Sequence, residues 1–205
     1  MSYKSVVMFS GGLDSTTILL ERVREGDTPL SVLFDYGQEH KVELEYAKSI
    51  CDQLGVDYQV VNLPVLERDD AGGSMVVGNR NIIFLSFAHY IAKKVGAVDL
   101  YCGFCEGDDS GFPDCRKEFV SKVQESLDLG YGEGITIHTP LLGYSKSETY
   151  FKNYRHGDLP FILENTLTCY MGDTTQREWG RGCGECMSCR GRIKGFKDFK
   201  EYYFD

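Results

Sequence analysis

The chain alternates between two apolar rhythms. Compact apolar runs at residues 5–9, 30–35, 56–62, 99–103 and 135–138 predict strands. Longer segments between them carry apolar residues three or four apart and predict helices at 16–25, 42–54, 81–95 and 116–129. In the second helix Leu44, Ala47, Cys51 and Leu54 form one stripe. In the third, Phe84, Ala88, Ile91 and Val95 share a face, and in the fourth Phe119, Val123 and Leu127 turn inward. Gly26 and Gly55 end the first two helices. Strands alternating with helices of this length predict an α/β fold, a doubly wound, mostly parallel sheet with helices on both faces. Residues 1–160 are expected to make that domain. Residues 161–205 are expected to add a small cysteine-bearing segment whose terminal helix packs on the same unit.

In such sheets ligands sit beyond the carboxyl ends of the strands, so the loops there carry the functional reading. They span residues 10–16, 35–40, 63–80, 103–116 and 139–146. The first belongs to Met8-Phe9-Ser10-Gly11-Gly12-Leu13-Asp14-Ser15-Thr16-Thr17-Ile18. A strand, a glycine turn and a helix N-terminus aim backbone N–H groups and the positive end of the helix dipole at an anion. The turn is not a Walker loop, because no lysine follows, and it lacks the third spaced glycine of the dinucleotide fingerprint. An ordinary strand–helix turn capped by Asp14 or Ser15 fits the same residues. In the second loop Tyr36, Gln38 and His40 suit an adenosine, or else form a glycine turn before a helix. The third loop carries Gly72-Gly73 and ends at Asn79-Arg80-Asn81, where Arg80 suits phosphate or carboxylate and either asparagine suits an N-cap. In the fourth, Pro113 stiffens a turn that mounts Asp114, whose carboxylate can accept the paired donors of a guanine-like edge or cap the next helix. In the fifth, Ser145 and Glu148 fit a capping box. Lys146 has the wrong charge for a helix start and needs an anion nearby.

Composition narrows the class. Hydrophobic residues are 42% and charged residues 26% of 205, which describes a globular chain. Lys plus Arg is 22 against 31 Asp plus Glu, a net charge of −9. That balance argues against a nucleic-acid backbone as partner and for a small molecule. No run of about 18 apolar residues predicts a membrane span. The opening Met1-Ser2-Tyr3-Lys4 lacks the regions of a signal peptide, so a cytoplasmic protein is expected. Of eight cysteines, Cys169, Cys183, Cys186 and Cys189 fall together, the last three in successive Cys-x-x-Cys steps. Four thiolates predict a closed, structural Zn²⁺ site, with iron–sulfur as the rival. Cys102 and Cys105 form another such pair, but it straddles a strand end rather than opening a helix. It therefore reads as a core cysteine and a loop cysteine.

The Ser-Gly-Gly-x-Asp-Ser-Thr turn resembles the pyrophosphate loop of ATP-pyrophosphatases, whose fold is the adenine nucleotide alpha hydrolase-like sheet. The wider combination is similar to the 7-cyano-7-deazaguanine synthases. It comprises residues 10–17, 35–38, 78–81, the Ser-Gly-Phe-Pro-Asp-Cys-Arg run 110–116, 139–141 with Lys146, and the terminal Cys-Gly-x-Cys-x-x-Cys-Arg. The resemblance implies conversion of 7-carboxy-7-deazaguanine and ammonia to 7-cyano-7-deazaguanine with ATP and Mg²⁺, in a homodimer with structural Zn²⁺ on the four cysteines. It implies that Met8 to Ile18 and Gln38 bind ATP. Asp14, Lys146 and Arg80 become the catalytic set, and Arg80, Asn81, Asp109, Ser110, Asp114 and Arg116 hold the substrate. Three departures stand out: a long gap between Cys169 and Cys183, the Gly103-Phe104-Cys105-Glu106-Gly107-Asp108-Asp109 loop in place of a more typical Gly-Val-Asn, and a short chain. An enzyme that stops at the amide would keep nearly every motif. A tRNA sulfur transferase using Cys105 or Cys115, or a zinc-ribbon module on a nucleotide-sensing domain, remain as alternatives.

Overall fold

The computed structural model describes residues 3–38, 41–66, 77–105, 112–132 and 134–204. Strands β1 (Ser5–Met8), β2 (Pro29–Asp35), β3 (Tyr58–Asn62), β4 (Asp99–Cys102) and β5 (Thr136–His138) form one sheet in the order β3-β2-β1-β4-β5. Every pairing is parallel. Helices α1 (Leu13–Arg24), α2 (Val42–Leu54), α3 (Arg80–Val95) and α4 (Lys117–Tyr131) provide the crossovers. The doubly wound α/β sheet expected from the apolar rhythm is the one observed.

Central β1 shows why the runs are apolar throughout. Val6 pairs with Leu30 and Leu100, while Val7 pairs with Ser31 and Tyr101. Successive side chains point to opposite faces, so both faces need apolar residues when helices cover both. Val6, Val32 and Leu100 pack with Phe84, Leu85, Ala88, Val120 and Val123 of α3 and α4. Val7, Phe9 and Leu33 pack with Ile18, Leu19, Leu44, Ala47 and Ile50 of α1 and α2. Each such side chain, fully buried, contributes about 1.5–3 kcal/mol.

Boundaries shift where caps decide them. Helix α1 begins at Leu13, three residues before the periodic pattern, because Gly12 takes the N-cap place and Asp14 sits in the first turn, where its charge suits the dipole. Strand β3 begins at Tyr58 instead of residue 56, at the sheet edge and paired only with β2.

Helix α5 (Lys146–Arg155) starts with the full capping box: the Ser145 side chain accepts from Glu148 N–H, and Glu148 accepts from Ser145 N–H. Helix α6 (Leu159–Asn165) and the hairpin β6 (Gln176–Arg177) and β7 (Gly180–Arg181) are too short to show a period in sequence. Helix α7 (Met187–Phe204) lies on α5, with Phe151 stacked on Tyr203 at 3.8 Å between centroids. A Cβ at Gly195 would sit 2.3 Å from the Lys146 Cβ, so a side chain there would push the two helices apart. A third cluster joins Leu13 and Leu20 to Tyr150, Ile162, Cys169, Trp179, Cys189, Phe196 and Phe199. Among the described residues no helix is long and apolar enough to cross a membrane.

Candidate active site

The winding reverses between β1 and β4, and a cleft of about 870 Å³ opens at the carboxyl ends of the strands there. Its walls come from the β1–α1 turn, the ends of β2 and β4, the start of α5, residues 167–170 and the first half of α7.

The glycine turn is shaped as much by protein as by any ligand. Gly11 has φ +75°, and a Cβ there would lie 2.9 Å from the Ala47 backbone of α2. A Cβ at Gly12 would lie 2.5 Å from the Thr168 Cγ2. Ser10 and Ser15 face each other across the turn with their hydroxyls 3.2 Å apart. Met8, Phe9, Ser10, Gly12, Leu13, Asp14 and Ser15 line the cleft. Gly11, Thr16, Thr17 and Ile18 are not among the lining residues: Ile18 belongs to the core, and Thr17 is spent on structure. The Thr17 hydroxyl donates to Leu13 O at 2.8 Å and accepts from the Asn153 amide at 2.8 Å, tying α1 to α5.

Lys146 finds its anion in Asp14. Its Nζ donates to Asp14 Oδ2 across 132 residues of sequence. Both side chains are mostly buried, 29% and 18% exposed. Burial works against the lysine charge, but Asp14 and then Cys105 outweigh it, and the Lys146 pKa lies above its ordinary value. Asp14 Oδ1 is buried and has no hydrogen-bond partner among the described residues. A buried carboxylate oxygen left in that condition is costly, and it is a ready ligand for a hard divalent cation.

At the β2 end of the cleft, Gln38 acts as a brace. Its carbonyl accepts from Tyr36 N–H at 2.9 Å, and its amide donates to Phe34 O and to Glu43 Oε1. Glu43, which sequence reading passed over, lines the cleft here, and burial raises its carboxyl pKa against the opposing pull of Gln38 and Arg80. Arg80 donates to the Tyr36 hydroxyl at 3.3 Å and lies over the Tyr36 and Phe84 rings, while its Nε is buried without a partner among the described residues. Asn79, in the left-handed region at φ 56°, takes the N-cap place of α3 without a side-chain bond. Buried Asn81 lines the cleft beside Cys115.

Asp114 is half-buried in a 3-10 turn (Pro113–Cys115) and is not the cap of α4; exposed Arg116 holds that position. Neither lines the cleft, although Phe112 and Cys115 on either side of Asp114 do. Burial pushes the Cys115 thiol up to about 11. His40, Gly72, Gly73, Asp109 and Ser110 lie outside the described residues. Cys102 is fully buried in β4. Cys105 follows in the loop, buried as well, and its thiol donates to Tyr144 O at 3.0 Å.

The sulfurs of Cys169, Cys183, Cys186 and Cys189 lie within 4.8 Å of one another. Cys183 and Cys189 are 3.8 Å apart, close to the edge of a tetrahedron built on metal–sulfur bonds of about 2.3 Å. The Cys183 sulfur accepts from the N–H groups of Glu185 and Cys186, and that of Cys186 accepts from Cys189 N–H. Burial raises the Cys183 thiol, yet these donors outweigh it and bring the pKa down to about 7. The donor set fits a tetrahedral thiophilic ion. Sequence reading had missed that this segment also walls the cleft, through Thr168, Tyr170, Met187, Gly191 and Arg192. The available signal was Arg192 itself, set one helical turn beyond Cys189.

The family model described as queuosine biosynthesis protein QueC matches residues 4–74 and 68–200. A 7-cyano-7-deazaguanine synthase of Bacillus subtilis (strain 168) is 39% identical over 212 residues, covering 96% of this chain and 94% of that relative. The synthase of Clostridium novyi (strain NT) is 37% identical, covering 98% and 96%. Among solved structures, the tRNA thiolase NcsA from Methanococcus maripaludis, with its 4Fe–4S cluster, aligns over 98% of this chain and 67% of its own. Its TM-score is 0.56 at 11% identity. An NMN synthetase from Francisella tularensis aligns over 96% and 85%, with TM-score 0.53 at 10% identity. At such identities these two share the fold alone. The full-length match to the family model and the identity to two synthases over nearly the whole chain make this protein a member of the QueC family.

Proposed function

We propose that the protein makes 7-cyano-7-deazaguanine from 7-carboxy-7-deazaguanine, ammonia and ATP. The observation that carries the reading is the Asp14–Lys146 pair at the mouth of the Gly11–Gly12 turn, in a chain 39% identical to a protein named for that synthesis. The substrate carboxylate attacks the α-phosphate and pyrophosphate departs from the turn. Ammonia then adds to the acyl-adenylate, and AMP leaves an amide. With a second ATP the amide oxygen is adenylated in turn. Loss of AMP and of the nitrogen's protons gives the nitrile.

The residues meet these demands by position and charge rather than by a covalent nucleophile. Ser10, Gly12 and Ser15 border the phosphate seat. Lys146 stabilises charge on the α-phosphate, and Asp14, through Oδ1, supplies a ligand for Mg²⁺, which when bound neutralises phosphate charge. Arg80 holds the substrate acid, with Asn81 beside it, and the guanine-like edge lies against the 3-10 turn that carries Asp114, whose flanking Phe112 and Cys115 line the cleft although Asp114 itself does not. The closed sulfur set holds Zn²⁺ as structure, and the working form is a homodimer. Mass spectrometry after incubation with the carboxy base, ATP, Mg²⁺ and ammonium tests the reading. A nitrile with two AMP formed per product is expected. Amide alone removes the second half, and no AMP formation sinks the whole.

A further inference from the structure

Arg192 is one of the largest fully buried side chains, 1% exposed, yet among the described residues no carboxylate pairs with it. Its partners are all neutral. Nε donates to the Tyr150 hydroxyl at 3.2 Å, Nη2 to the Thr166 hydroxyl at 2.9 Å, and Nη1 to the Thr168 hydroxyl at 3.0 Å and to Thr166 O at 3.3 Å. The surrounding backbone makes room for it: a Cβ at Gly180 would fall 2.2 Å from Nη2. A buried cation is expensive without a compensating charge. Cys189 stands one turn back along α7, and Arg192 itself lines the cleft, where a bound anion would supply the compensating charge.

The guanidinium also sits at a junction. Thr168, which it holds, presses its methyl group toward Gly12, and the adjoining Leu167 N–H donates to Gly11 O at 3.1 Å. The next residue is the metal-ligand candidate Cys169. A Thr168 hydroxyl that accepts from a cation keeps its own proton for another acceptor, and the charge polarises that proton toward it.

We propose that Arg192 is a positioning residue. Through Thr168 it locks the cysteine centre to the glycine turn, so that the turn is held in phosphate-binding form and Thr168 presents a donor to the phosphates. The second half of this inference rests on the ATP reading of the turn; the locking does not.

The test uses the full-length protein with two readouts, hydrogen exchange of residues 10–16 and calorimetric titration with ATP and Mg²⁺. T168V keeps the shape of the side chain and deletes only the hydroxyl. It should speed exchange in the turn and weaken ATP about tenfold, the effect of one charge-assisted hydrogen bond. T168S should restore both, and R192K should fall between wild type and R192M. Because R192M can fail to fold, T168V is decisive. A structural role alone would lower the melting temperature and leave the turn's exchange and ATP affinity unchanged. That result in T168V, within twofold of wild type, overturns the proposal. Wild type that binds no ATP while T168V still loosens the turn would refute the ATP reading and leave the locking intact.

Discussion

Replacing Lys146 by methionine separates its part in the fold from its proposed part in catalysis. Its ammonium is the hydrogen-bond partner of Asp14 Oδ2, while Oδ1 has none among the described residues. K146M would therefore leave a carboxylate 18% exposed with neither oxygen paired. Exposed ion pairs contribute about 0–1 kcal/mol, and breaking a buried pair costs about 3–5 kcal/mol. With the two side chains 29% and 18% exposed, this pair lies between those limits, and a loss of about 2 kcal/mol follows. For a chain of this size that lowers the melting temperature by about 4–8 °C. D14N/K146M should recover part of the loss, because no charge is then stranded. Activity responds differently. On the proposed reading, losing a cation that stabilises charge on the reacting phosphate costs about 10²–10³ in kcat, and the double variant recovers none of it. Thermal melts and AMP formation give the two numbers. A K146M enzyme within tenfold of wild-type kcat, or a double variant no more stable than K146M, would refute the account.

Other variants address separate parts of the fold. G11A should cost more than about 2 kcal/mol in urea unfolding, since it forces φ +75° on an L side chain and drives its Cβ within 2.9 Å of the Ala47 backbone. G12A should cost less, because the obstructing atom is the end of a threonine side chain. Serine at any of Cys169, Cys183, Cys186 or Cys189 should lower metal content by elemental analysis and expose the remaining thiols to a thiol reagent. Retention of a full equivalent in C169S would remove that cysteine from the set. Burial holds the His89 pKa below the ordinary histidine value of 6.5, with Asp128 opposing and Lys93 assisting. The fold then favours neutral His89, so stability should be constant above pH 6.5 and fall as the pH drops toward the depressed folded value. H89Q should flatten that part of the stability–pH curve, and an unchanged slope would exclude His89 as its source.

The sheet was legible because its strands are covered on both faces, which makes runs such as residues 5–9 apolar without alternation. Helix starts were less legible. The α1 pattern of apolar residues becomes periodic only after Thr16, whereas the backbone turns helical at Leu13 under the control of a glycine cap. The elements between α5 and α7 were not legible at all. A seven-residue helix and two-residue strands are held by contacts from elsewhere, such as the Arg181 Nε–H bond to Glu164 O, and leave no period behind.

The site was legible in proportion to how local its chemistry is. The glycine turn and the cysteine steps are contiguous, so spacing alone exposes them. Gln38 was visible as a polar residue in the right loop, but its amide is engaged by Phe34, Tyr36 and Glu43, partners that a side-chain inventory cannot rank. Lys146 is the instructive case. A cation at a helix N-terminus works against the dipole, which says that an anion must stand nearby and says nothing of which one. Folding supplies Asp14 from 132 residues away. The lysine is thus already paired within the fold, and on the proposed reading a nucleotide that takes Lys146 must hand Asp14 another cation. On this reasoning phosphate and divalent ion enter as a pair, each releasing the partner that the other needs.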